Sequence, residues 1–179
     1  NGDRIWRVAI KSEGAKTINL TYEDFYMPEG ATFHLYAKNK KEKIGAFTSA
    51  NNKEDRSFST MFLHTDNVVL EYYEPAAVIG QGAIHVKTVV HGYRDVAPYL
   101  NKAFGSSGNC NNDVACPLSA GWEDQIRSVA MLLTSGNARF CSGALVNNTA
   151  NDGTQYFLTA DHCSPANTTI FMFNYLSPD

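Results

Sequence analysis

Apolar and polar residues take turns, one by one, through nearly the whole first half of this chain. Trp6, Val8 and Ile10 alternate with Arg7 and Ala9, and Ile18, Leu20 and Tyr22 with Asn19 and Thr21. Phe33 and Leu35 alternate with Thr32, His34 and Tyr36, and the stretches around Val68-Leu70-Tyr72 and Ile84-Val86-Thr88-Val90 obey the same rule. A period of two sends one face of an extended strand toward a core and the other toward water. No segment between residues 4 and 93 holds the 3.6-residue period that a helix needs. Turn-forming residues separate the runs at Met27-Pro28-Glu29-Gly30, Asn51-Asn52-Lys53-Glu54-Asp55, Thr65-Asp66-Asn67 and 75–82. Short strands so spaced predict an all-β unit, an antiparallel β-sandwich of jelly-roll type.

From Gly92 the texture changes. Pro98 and then Gly105-Ser106-Ser107-Gly108-Asn109 make a polar stretch with little to bury, which marks a domain boundary. The 179 residues accommodate two small domains, and 44% hydrophobic content supplies their cores. We place the first at 1–102 and the second at 103–179. In the second, 126–133, 140–146, 156–160 and 169–175 read as strands. The 147–153 loop carries the turn dipeptide Asp152-Gly153.

Charge narrows the partners. A net charge of -3 provides no electrostatic footprint for nucleic acid. The basic run Lys38-Asn39-Lys40-Lys41-Glu42-Lys43 is interrupted by Asn and Glu and reads as a solvated hairpin tip. No apolar run approaches the roughly 20 residues of a membrane span. Asn1-Gly2-Asp3 has no likeness to a signal peptide, so the N-terminus reads as already processed or artificially set. All four cysteines lie at or beyond Cys110 and none forms a C-x-x-C pair. Disulfides are the expected use of them, and they imply an oxidising compartment and a secreted protein.

The chemistry concentrates at Phe157-Leu158-Thr159-Ala160-Asp161-His162-Cys163. A serine hydroxyl keeps its proton at neutral pH and becomes a nucleophile only beside a base whose pKa lies near the working pH. Histidine is the side chain that fits, provided it is held in one orientation. His162 has such a mount: a strand runs into it and Cys163 follows it. Cys141 opens the preceding strand, before Ser142-Gly143-Ala144-Leu145-Val146. If the two strands pair as a hairpin, Cys141 and Cys163 face one another and a bridge would pin the base.

The segments 141–146 and 157–163 resemble the strand pair and catalytic-histidine motif of chymotrypsin-like (trypsin-like) serine proteases. The likeness is closer to the bacterial lysyl endopeptidase branch, and it extends to 105–117, to Asp124-Gln125-Ile126-Arg127-Ser128-Val129 and to 146–152, about 105–175 in all. It implies that 103–179 supplies the first strands of a chymotrypsin-like β-barrel. It also implies His162 as general base, a Cys141–Cys163 disulfide, and partners further along the chain for Cys110 and Cys116. The substrate would be a polypeptide cut after a basic residue, lysine by resemblance. The sequence departs from the family twice. Asp161 stands where relatives carry a small residue, and no Gly-Asp-Ser-Gly segment occurs, so the catalytic acid and serine are not in this chain.

The expectation is therefore a secreted serine endopeptidase seen through its N-terminal part, inactive until joined to its own C-terminal protease half. Residues 1–102 would serve as propeptide or accessory domain. Lys102-Ala103, just before the Gly/Ser stretch, is the candidate cleavage bond. The alternative is a secreted, non-catalytic β-sandwich binding module followed by a truncated protease stub. No cofactor or metal is called for. His34, His64, His85 and His91 read as surface residues, and Cys110, Cys116 and His162 fit no zinc spacing. Asp66, Glu71 and Glu74 lack a calcium-loop pattern and read as surface carboxylates.

Overall fold

The computed structural model describes residues 2–93 and 112–176. The chain divides into two compact units, Asn1–Val96 and Ala97–Asp179. Both are built from antiparallel sheets, and the protein is all-β. Lys102, Ala103 and Cys110 lie outside the described residues.

The first unit has seven strands: β1 (Arg4–Lys11), β2 (Thr17–Tyr26), β3 (Thr32–Ala37), β4 (Lys43–Phe47), β5 (Phe58–Ser59), β6 (Asn67–Glu74) and β7 (Ala83–Gly92). They form two sheets, ordered β1-β6-β3-β4 and β5-β2-β7. The alternation sets which residues face inward. Ile18, Leu20, Tyr22 and Phe25 from β2 pack against Phe33 and Leu35 from β3 and Val68 and Leu70 from β6, all in one buried cluster. This joint core makes the two sheets a sandwich. An aromatic group lies at its centre: the Phe25 and Phe58 rings stack 4.2 Å apart, with Tyr22 5.7 Å from each.

Loops are tied down by local chemistry. Asn52 accepts from the Met27 N–H and donates to the Met27 carbonyl, both at 2.8 Å, so the 48–52 loop closes over the β2–β3 turn. The basic run forms the β3–β4 hairpin turn, where the Lys40 N–H donates to the Ala37 carbonyl at 2.7 Å.

Two features depart from the expected pattern. The inward stripe of β1 is not covered: Trp6 is 58% and Val8 59% exposed. β1 is an edge strand, and the opposing three-stranded sheet ends at β7 without reaching over it. Glu74 is buried rather than at the surface, accepting hydrogen bonds from the Tyr72 hydroxyl at 3.2 Å and the Gly80 N–H at 2.9 Å. Desolvation and this carboxylate push the Tyr72 hydroxyl up to about 12.

Among its described residues the second unit carries one helix, α1 (Glu123–Ser128), and four strands: β8 (Val129–Leu133), β9 (Arg139–Val146), β10 (Tyr156–Thr159) and β11 (Ile170–Phe173). The sheet order is β10-β9-β8-β11, an open sheet and not a closed barrel. The 126–133 stretch, expected to be strand throughout, is helical through Ser128. Glu123 and Asp124 in the first turn and Arg127 in the last complement the helix dipole.

Candidate active site around His162

The central strand β8 is the floor on which the site rests. Ala130, Leu132 and Leu133 are almost fully buried, and they fix β9 alongside with Cys141 opposite Leu132. Phe140 bulges out of this ladder between Cys141 and Arg139. On its other edge β9 pairs with β10 as an antiparallel hairpin, from Tyr156↔Val146 to Thr159↔Gly143. Gly143 is required at this pairing. A Cβ there would run into the Leu158 carbonyl oxygen and the Phe157 ring, so only glycine lets β10 approach. The Phe157 ring in turn meets Phe171 edge-on with centroids 4.8 Å apart. Beside Gly143, the Thr159 hydroxyl donates to the Ser142 carbonyl at 2.8 Å and locks the hairpin's open end.

The loop joining β9 and β10 is organised by Asp152. The Asn148 side-chain amide donates to it at 2.7 Å and the Thr154 N–H at 2.9 Å. These bonds hold its carboxyl down to about 2. Their stabilisation is present at neutral pH and disappears only as pH falls through that value.

Past Thr159 the strand gives way to a 3-10 turn, Asp161–Cys163, closed by the Cys163 N–H to the Ala160 carbonyl at 2.9 Å. Ser164 follows in the left-handed region at φ 36. Continuing the ladder would set Cys141 opposite Asp161. The turn instead draws Cys163 back, and the Cys141–Cys163 disulfide forms across a Cα–Cα distance of 5.9 Å. Cys163 is buried, whereas Asp161 and His162 are exposed. A ring nitrogen of His162 lies within 4.8 Å of both bridged sulfurs. Cysteine and histidine so grouped could suggest a metal site, but the disulfide consumes both thiolates.

His162 is thus mounted at the end of a paired strand, beside a disulfide with one buried and one half-buried cysteine, with its ring in solvent. It has no hydrogen-bond or ion-pair partner among the described residues. The arrangement can present a base to an incoming proton donor. Among the described residues it holds no nucleophile against His162 and no acid on the second ring nitrogen. Cys116 is exposed and unpaired among the described residues. Of the other histidines, His64 meets Glu42 at 3.0 Å and His85 meets Asp24 at 3.5 Å, and both are exposed.

The bridge spans 22 positions, so in the chain-entropy view it stabilises the second unit by about 3 kcal/mol. Cys141→Ala/Cys163→Ala is expected to lower the unfolding free energy of that unit by this amount, read from denaturant titration. Non-reducing peptide mapping of the wild type should recover the 141–163 pair. A bridge from Cys116 to either cysteine would overturn the hairpin arrangement.

Comparisons with known proteins meet on this half of the chain. Residues 104–179 match the family model described as Lysyl endopeptidase, C-terminal domain. A curated Lysyl endopeptidase from Pseudomonas aeruginosa is 27% identical over 185 residues, an alignment covering 91% of this chain and 38% of that protein. The chain therefore spans well under half the length of the relative it matches. No solved structure matches it significantly. With the histidine motif standing inside the matched segment, residues 104–179 are similar to the C-terminal domain of lysyl endopeptidases.

Proposed function

We propose that this chain is the N-terminal part of a secreted serine endopeptidase that cleaves polypeptides after lysine. Its first unit, within 1–102, serves as propeptide or accessory domain, and 103–179 begin a chymotrypsin-like catalytic domain. The observation that carries this reading is the mounting of His162 on the β9–β10 hairpin and its disulfide, inside the segment that matches the lysyl endopeptidase model. In the complete enzyme His162 takes the proton of a serine hydroxyl as that oxygen attacks the scissile carbonyl. It then returns the proton to the leaving amine.

The exposed surface of the second unit supports the same reading. Val129, Phe140, Leu158 and Phe171 all lie at least 40% exposed on an open sheet. A cavity of about 350 Å³ opens beside β8 and β11, lined by Trp122, Ile126, Met131, Met172 and Leu176 among others. So much uncovered apolar surface on a small unit calls for a covering partner, and further strands of the same domain would provide it. The disulfide supports an oxidising compartment.

A lysine-preferring enzyme would meet its own target at Lys102-Ala103, and release there would separate the first unit from the second. The test is to purify the active full-length protein and sequence its N-terminus. A mature chain beginning near Ala103 that turns over lysyl esters is the expected result. An active enzyme that still begins at Asn1 would make the first unit a retained accessory module. Absence of any esterase activity would overturn the peptidase reading itself.

A further inference from the structure

The first unit is left open along one side. Among the described residues β1 pairs only with β6, and β7 only with β2, so each is the last strand of its sheet. These two edges flank one cavity of about 450 Å³. Alternate residues of β1 (Trp6, Val8, Ile10) and of β7 (Ile84, Val86) line it, with Tyr72 of β6 at its base. The trough is the unfilled margin of the sandwich interior, a size typical of ligand sites. The Ser12 hydroxyl lies 2.8 Å from His91 Nδ1, joining the ends of β1 and β7 and closing one end of the trough. Arg4, Glu74, Gly80 and Gly82 line its other end. β1 and β7 therefore start at the same end and run the same way, so a strand entering antiparallel to one would be antiparallel to both.

Its rims carry two further signals. Each is a strand edge, of 8 residues in β1 and 10 in β7, with alternate backbone N–H and C=O groups unpaired by another strand among the described residues. Neither strand contains an acidic residue, although the chain as a whole is net negative. Arg7 is matched by Glu71 at 2.6 Å and Lys87 by Glu23 at 3.6 Å, which leaves Arg4 and Lys11 without carboxylate partners among the described residues. Glu74, the one acid in the trough, is turned onto Tyr72 and Gly80.

We propose that this trough receives an extended strand of another polypeptide, one that alternates apolar side chains with carboxylates. The apolar residues would fill the space over Tyr72 between Trp6 and Ile84. The backbone would complete one of the two edges, the outward-facing carboxylates would meet Lys11, and the strand's terminal carboxylate would meet Arg4 at the trough's other end. Strand addition of this kind draws affinity from main-chain hydrogen bonds and selectivity from alternate side-chain pockets. The same charges exclude a second copy, because pairing β1 with β1 would set Arg4, Arg7 and Lys11 against one another. This inference stands on the first unit alone and does not depend on the peptidase reading.

The test uses the full chain and an N-acetylated peptide alternating Val and Glu, about nine residues long to match some 30 Å of strand. Titration followed by calorimetry and by amide exchange should show saturable binding that slows exchange in β1 or β7. Val8→Asp, at an exposed position, should weaken binding at least ~10-fold, and Arg4→Glu should weaken it several-fold. A peptide with Lys in place of Glu, or one N-methylated at alternate residues, should lose most of the affinity. Absence of saturable binding, or binding that neither Val8→Asp nor Arg4→Glu weakens, would overturn the proposal. So would a dimer in sedimentation that Val8→Asp abolishes, or uptake of palmitate by a chain that ignores the peptide.

Discussion

Purified chain 1–179 is expected to hydrolyse lysyl and arginyl esters no faster than buffer. A catalytic triad acts as a unit, and removing its nucleophile leaves the histidine nothing to activate. His162 is exposed and carries no partner among the described residues, and the sequence holds no Gly-Asp-Ser-Gly segment to supply the serine. In the full-length protein, by contrast, His162→Ala should depress kcat/KM by roughly 10⁴- to 10⁶-fold with little change in KM, since the base acts in the transition state. Cys141→Ala/Cys163→Ala should be milder, because it loosens the mount without removing the base. Turnover by the 179-residue chain that vanishes in His162→Ala would contradict the assignment. It would mean that a nucleophile is drawn from within these residues.

Phe25→Ala is expected to destabilise the first unit by about 3–5 kcal/mol, the usual range for deleting a fully buried phenylalanine. Phe25 is 1% exposed and lies between Tyr22, Phe33 and Phe58, so the void it leaves is walled by rings that cannot collapse into it. That loss is a large share of the stability of a domain of this size. Trp6→Ala, on an equally apolar stripe, should cost less than ~1 kcal/mol, because the side chain already faces water. Amide exchange of β2 in urea assigns each loss to the first unit rather than the second. Equal losses at the two positions would show that β1 is covered in solution.

The contrast between Phe25 and Trp6 shows how far alternation can be read. It reports which face of a strand is apolar, a local property, and it located the strands of the first unit and the hairpin around 147–153. It carries no information about whether another sheet lies over that face. That depends on strand order, and β1 and β7 both fall at edges, so the Trp6-Val8-Ile10 stripe was left to line an open trough. Glu74 was misread for the same reason. Nothing local distinguishes it from Glu71, yet one is buried under Tyr72 and Gly80 while the other is tied to Arg7 near the surface.

In the second unit the helical start of 126–133 was legible in principle from Glu123, Asp124 and Arg127. The apolar run from Val129 masked it, since short apolar stretches read alike as strand or helix. The candidate site was legible as a motif, because strand, histidine and cysteine are consecutive there. The structure determined how Cys163 reaches Cys141. A 3-10 turn interrupts the ladder after Thr159 and folds the chain back toward β9, a path that depends on backbone geometry at Ser164 and on the close approach Gly143 permits. Sequence by itself thus determined most strands and turns and singled out the candidate histidine. The tertiary structure decided which apolar faces are covered, which carboxylate is dry and how the histidine is held, since each depends on neighbours distant along the chain.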